Sequence, residues 1–173
     1  MPVGKVVCFF LFSDPATTGI YPLSQHAVLP ISPHADPDSL SAAGESYVVF
    51  GKASGFASSI DLSSLNGATG FRLDGVTASD WSGFSVSAAG DVNGDGFDDI
   101  IVGAAVADPD SLSNAGSSYV FFGQASGFAS SIALPGLHGP TGFRLDGVGA
   151  EDWVGVLGCA VGCRNADVVA RIL

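Results

Sequence analysis

Basic residues are scarce in this chain. Six Lys and Arg stand against 17 Asp and Glu, for a formal net charge of −11. That balance repels phosphate backbones and argues against a nucleic-acid partner. It suits divalent cations and favours solubility. Cysteine is scarce too. Cys8, Cys159 and Cys163 are an odd set confined to the end segments, which is no disulfide framework. Cys159 and Cys163 lack a second ligand pair, so they make no zinc site. No segment reaches the ~20 consecutive apolar residues of a membrane-spanning helix, and none shows a sustained helical period. There is no Gly-x-Ser-x-Gly elbow, no His-Glu-x-x-His and no phosphate-binding loop.

What is present is a sequence that nearly repeats itself. Residues 35–83 return as residues 107–155, with roughly three-quarters of the positions identical at a constant offset of about 72 residues. Ala35-Asp36-Pro37-Asp38-Ser39-Leu40-Ser41 becomes Ala107-Asp108-Pro109-Asp110-Ser111-Leu112-Ser113. Gly70-Phe71-Arg72-Leu73-Asp74 becomes Gly142-Phe143-Arg144-Leu145-Asp146. The chain of 173 residues is long enough for a core, and 47% of it is apolar, which opposes disorder. Its 24 glycines sit mostly between short apolar runs, as turns between many short strands require.

One full unit can be read over residues 83–154. Small and apolar residues at 84–89 predict a strand, and an acidic loop follows. The continuous apolar run at 100–105 predicts a strand buried on both faces. Residues 106–115, rich in Asp, Pro, Ser and Asn, predict a loop. Residues 117–122, aromatic and β-branched, predict another strand. A small apolar element stands at 132–137, and alternation at 143–148 predicts an outer strand. Four strands per repeat is the content of a β-propeller blade, so the fold class is all-β: antiparallel four-stranded blades of an incomplete propeller, about two blades in all. Tyr47 and Tyr119, Phe50 and Phe122, and Trp81 and Trp153 should occupy equivalent places, the tryptophans packing between blades near the start of successive inner strands.

The loop between the copies runs Asp91-Val92-Asn93-Gly94-Asp95-Gly96-Phe97-Asp98-Asp99. Asp91, Asn93 and Asp95 supply oxygen donors at alternating positions, Phe97 a main-chain carbonyl and Asp99 a closing carboxylate. Gly94 and Gly96 permit the curvature that brings these groups to one point. Five such positions, with waters, reach the six to eight oxygens that Ca2+ prefers, and no thiolate or imidazole is present to recruit a softer metal. An EF-hand is excluded, because its twelfth position should be Glu and here is Val102. The alternative is an Asp/Asn/Gly turn with no metal. In the second copy Arg171 stands where the closing carboxylate should be, so no second site is expected.

The stretch from Asp91 to Ala104, with Ser82-Gly83-Phe84 before it, resembles the FG-GAP repeat of integrin α-subunit propellers and of many bacterial secreted or surface proteins. Ser82 replaces the family's first Phe and Ala105 its Gly-Ala-Pro proline. The resemblance covers residues 35–155. It implies a propeller blade with calcium in a hairpin loop and a location that is secreted or at the cell surface. On this reading residues 1–34 are a divergent N-terminal segment, 35–82 a partial blade, 83–154 a complete blade with the calcium loop, and 155–173 the degenerate start of a further blade. Lys5 and the run from Val6 to Phe12 read as a short signal-peptide core with no clear cleavage site, as a buried strand, or as out-of-frame sequence with no native role.

Three functions compete. The leading one is a non-catalytic calcium-binding module for extracellular binding, adhesion or structural support, offering a protein or glycan partner its blade loops, with Asp108 and Asp110 among the candidates for contact. The second is an accessory part of a secreted hydrolase or lyase. Serines occupy repeat-wide positions here, and His138 sits in a turn beside Gly139-Pro140, so neither points to catalysis. The third is a truncated remnant with no function of its own. Two blades leave apolar outer faces and open edges, which invite self-association. Residues 1–34 and 156–173 are expected to be the least ordered.

Overall fold

The computed structural model of the chain describes residues 26–51, 56–75, 77–125 and 127–156. Eight strands run through them: β1 His26–Ser32, β2 Glu45–Phe50, β3 Gly70–Asp74, β4 Ser82–Gly90, β5 Asp99–Ala104, β6 Ser117–Phe121, β7 Ser131–Ala133 and β8 Gly142–Asp146. The only helices among the described residues are one-turn 3-10 segments. The chain is all-β, as its glycine-punctuated apolar runs require.

The strands form two sheets of four. One has the order β4-β5-β6-β8 and is antiparallel throughout, a complete blade. The other has the order β1-β2-β3-β7. There β1, β2 and β3 are antiparallel, while β7 joins β3 in parallel. Each strand expected between residues 83 and 154 is found, within a residue or two of its sequence limits.

Two features depart from the expected organisation. The segment 1–34 contains β1, which pairs with β2 from His26 opposite Phe50 to Ser32 opposite Glu45. It occupies the place that β5 holds in the second blade, so the blade begins well before the repeated sequence does. Pro30 is tolerated because β1 is the terminal strand of its sheet among the described residues, and the register shifts beside it. The second departure is β7. By sequence it belongs to the second unit, yet it crosses to the outer edge of the first sheet. Cys8, Cys159, Cys163, the apolar run at residues 6–12, and the expectation of disorder at residues 1–25 and 157–173 lie outside the described residues.

The core lies between the two sheets. Cross-strand pairing puts Val48, Phe71 and Leu73 on one face of the first sheet, all but fully buried. They meet Val86, Ile100, Val102, Tyr119 and Phe121 from the facing side of the second. Phe128, on the strap that leads to β7, stacks on Phe71 with ring centroids 4.8 Å apart and planes at 13°. Leu134, just beyond β7, is completely buried. Burying an aliphatic or aromatic side chain of this size contributes about 1.5–3 kcal/mol.

The two copies fold alike in detail at the loop end. Trp81 and Trp153 both have φ of 55°, and their N–H groups donate to Ala42 O and Asn114 O. Asp36 and Asp108 each accept a 2.7 Å bond from the backbone six residues on. Asp38 and Asp110, Ser39 and Ser111, and Ser79 and Glu151 share positive φ values. Gly44 and Gly116 make this network possible. A Cβ at Gly116, where φ is 76°, would sit 2.2 Å from Val154 O. Gly116→Ala is therefore expected to destabilise the fold by about 1–3 kcal/mol or more. Gly136 has open space around it, and Gly136→Ala should stay within about 0.5 kcal/mol. Guanidinium chloride unfolding compares the two, and equal midpoints would remove the close approach as the reason for the glycine.

On the outward side of the first sheet, Tyr47 Oη donates to Glu45 Oε2 at 2.8 Å, and Arg72 pairs with both Asp74 and Glu45. Burial, then the Glu45 hydrogen bond and charge, push the Tyr47 phenol up to about 12. A phenol whose folded pKa exceeds its unfolded value of about 10 contributes stability in full below pH 10 and loses it as pH rises toward 12. Stability should fall across that window. Tyr47→Phe should flatten the fall and remove the latest component of the tyrosinate absorbance titration.

Candidate metal centre

The acidic loop is the hairpin connection between β4 and β5. The ladder closes on Gly90 opposite Asp99, with a register irregularity between Ala88 and Gly90. Beyond it the chain turns through Gly94 and Gly96, both at positive φ (77° and 90°). No heavy atom beyond their chain neighbours lies within 4 Å of a Cβ built at either, so their role is conformational and not a matter of space.

The loop's side chains fold onto its own amides. Asp91 accepts from the N–H groups of Gly94 and Asp95 at Oδ1 and of Gly96 at Oδ2, at 2.8–3.0 Å. Asn93 Oδ1 accepts from Asp95 N–H, Asp95 Oδ1 from Phe97 N–H, and Asn93 Nδ2 donates to Asp95 Oδ2. These are Asx-type turns, which the spacing of Asp and Asn at alternate positions generates locally. Asp91, Asn93 and Asp95 are exposed, whereas Asp99 is only 1% exposed. Asp99 Oδ2 accepts from Val92 N–H at 2.7 Å and Oδ1 from Gly123 N–H at 2.9 Å.

Asp99 thus does more than close the loop. It ties the loop's start to the turn after β6, where a Cβ on Gly123 would meet Asp98 O at 2.4 Å. Nothing in the spacing of the loop signals this second partner, because Gly123 lies 24 residues away. Each Asp99 oxygen accepts one hydrogen bond and keeps acceptor capacity, as do Asp91 Oδ2 and both Asp95 oxygens. The donor set is oxygen only and multiply carboxylate, which fits a hard cation such as calcium. Among the described residues, no three His, Cys, Asp or Glu side chains already converge as a metal-holding group.

A concavity of about 570 Å³ lies between the blades, at the end of β4 and β5 opposite the acidic loop. Trp81 and Trp153 line it, with Asp80, Asp108, Tyr119 and Arg144. Burial holds the Asp80 carboxyl above the usual carboxylate range, opposed by a Thr77 hydrogen bond and reinforced by the Asp108 charge. Burial likewise raises the Tyr119 phenol. The two tryptophans do sit at equivalent backbone positions, and both face this cleft. Trp81 also meets His34 edge-on at 4.9 Å, while Trp153 Nε1–H donates to Glu151. Of the loop aspartates considered for contact, Asp108 lines the cleft.

The family model of the FG-GAP repeat matches residues 82–121. The chain carries an FG-GAP repeat. The match runs from the start of β4 through the acidic loop and β5 to the end of β6, three of the blade's four strands. FG-GAP repeats form propeller-type repeat modules that are generally non-catalytic. Residues 107–121 of the matched span recur, nearly unchanged, as residues 35–49 in the preceding sheet. No curated protein matches the chain.

The buried Asp99 carboxylate serves the fold whatever else it does. Asp99→Ala leaves the Val92 and Gly123 N–H groups without their acceptor and is expected to cost about 1–3 kcal/mol. Asp95→Ala, in the exposed part of the loop, should cost less than about 1 kcal/mol in metal-free buffer. Thermal or denaturant unfolding in excess chelator measures both, and an Asp99→Ala protein as stable as the parent would contradict this role.

Proposed function

We propose that this chain is a calcium-stabilised, non-catalytic propeller module that acts outside the cytoplasm and engages a protein or glycan through its blade loops. The observation that carries the reading is the Asp91–Asp99 loop at the tip of the β4–β5 hairpin, within the span that matches the FG-GAP repeat. Asp91, Asn93, Asp95 and Asp99 with the Phe97 carbonyl would hold the ion, Asn93 and Asp95 turning from each other toward it. Bound calcium supplies charge neutralisation and holds the hairpin tip rigid. An extracellular setting accords with the typical location of FG-GAP repeats. Among the described residues no helix is long and apolar enough to cross a membrane.

The cleft supports the binding part of the reading. Two indole rings, two carboxylates and a guanidinium converge on one concavity. Sugar rings and aromatic or basic peptide side chains are recognised by such apolar walls with a few fixed polar groups.

Isothermal titration of the purified chain with calcium chloride tests the metal site. One ion per chain is expected, with magnesium weaker because that smaller ion demands near-ideal octahedral geometry and gives up its water reluctantly. A free calcium concentration one hundredfold above Kd should raise stability by about 2.7 kcal/mol. Asp95→Ala should abolish the heat. Equal heats for the parent and Asp95→Ala would sink the assignment.

A further inference from the structure

We infer that the cleft between the blades binds an uncharged saccharide, and that Ser117 makes the room for it. The inference rests on the reading of the chain as a binding module and commits that module to one class of ligand. The two copies present the same face at this level, with one decisive difference. In the first sheet Glu45, Tyr47 and Arg72 close on one another: the Tyr47 hydroxyl donates to Glu45, and Arg72 pairs with Glu45 at 3.5 Å. In the second sheet their counterparts are Ser117, Tyr119 and Arg144, so the carboxylate is gone. Ser117 Oγ donates instead to Asp146 at 2.7 Å, and Arg144 pairs with the same Asp146. Space that Glu45 fills in one copy is left open in the other, and Ser117, Tyr119 and Arg144 line the cleft there.

Two further differences between the copies fall on the same cleft. Asn114 stands where the first copy has Ala42, and Glu151 where it has Ser79. Asp108 Oδ1 accepts from Asn114 N–H at 2.7 Å, Asn114 Nδ2 donates to Glu151 Oε1 at 3.2 Å, and Trp153 Nε1–H donates to Glu151 Oε2 at 3.2 Å. This chain of bonds fixes the Trp153 indole at the rim, where the residue is 40% exposed. Ala42 and Ser79 could not build it. The floor is fixed as well, since Tyr119 and Ser117 are 4% and 2% exposed. A wall held in place before the ligand arrives lowers the ordering cost of binding.

Charge selects the occupant. Asp80 and Asp108 line the cleft and oppose an anion, while Arg144 in the same space opposes a cation. An uncharged polyol meets neither penalty. Its hydroxyls both donate and accept, so they can give to Asp80 and Asp108 and take from Arg144. The Tyr119 and Thr77 hydroxyls serve in either sense. A pyranose also has an apolar C–H face, which packs on the negative face of an indole ring. The volume of about 570 Å³ lies within the range of small-ligand sites, about 300–1,000 Å³.

Tryptophan fluorescence of the full chain reads the site directly, since both of its tryptophans line the cleft. The probes are the methyl glycosides of glucose, mannose, galactose and N-acetylglucosamine, with N-acetyl-lysine amide, N-acetyl-arginine amide and glucuronic acid as charged controls. At least one glycoside should shift the emission saturably, and the charged probes should not. Ser117→Glu restores a side chain that the first copy accommodates, and should weaken that glycoside by about tenfold or more, as should Trp153→Ala. Should Ser117→Glu fail to fold, Asn114→Ala, also taken from the first copy, replaces it, with an expected weakening of about threefold or more. No saturable shift from any glycoside, a charged probe bound in preference, or glycoside binding that survives the substitutions would each overturn the proposal. Calcium titration of the same sample separates this from the module reading. Calcium uptake without glycoside binding overturns the cleft assignment alone, whereas glycoside binding without calcium uptake supports the cleft and overturns the metal site.

Discussion

Phe128 stacked on Phe71 is the contact through which the two sheets become one structure. Phe71 belongs to β3, Phe128 to the strap that crosses from the second blade, and Phe121 of β6 lies 5.3 Å from Phe71 and 6.0 Å from Phe128, closing a cluster of three rings. A sheet that leaves an apolar face in water is not stable alone. Here one face of each sheet is removed from water by the other, and β7 adds main-chain pairing across the same boundary. Dispersion and area burial do most of the holding, and the hydrogen bonds of β7 fix the register in which they are made.

That packing sets the conditions for both functional regions. At one end the hairpin loop projects from β4 and β5, anchored by a carboxylate that is buried because Gly123 comes close beneath it. At the other, the duplicated turns hold ten non-glycine residues at positive φ, two tryptophans among them. Such conformations persist only where surrounding hydrogen bonds over-determine them, and here the same set occurs in both copies. The strain positions Trp81 and Trp153 on the cleft between the blades. Arg144 faces it from β8 and Tyr119 from β6, so the concavity belongs to neither blade by itself.

Much of this was legible in the order of residues. The repeat at a constant offset announces equivalent blades, and the equivalence extends to the φ angles of the two tryptophans. Apolar runs bounded by Gly, Asp and Pro mark β4, β5, β6 and β8, because a strand's side-chain period is local. Other elements were hidden for physical reasons. β1 carries Pro30 and has no close copy at β5, so only its pairing with β2 reveals it. The short apolar element at residues 132–137 was visible, but its partner was not. Parallel addition to β3 depends on a neighbouring blade some sixty residues earlier in the chain, and no local pattern encodes that.

By itself, the sequence determined the fold class, the number of repeated units and the chemistry of the acidic loop. Those follow from side-chain period, turn residues and donor type, which act over a few residues. Tertiary structure alone decided that Asp99 is buried and tied to Gly123, that the strap leaves its own blade for the preceding one, and that residues of both units meet in one cleft. Each of these joins groups far apart in sequence. Their contacts form only once two sheets have excluded water from the space between them.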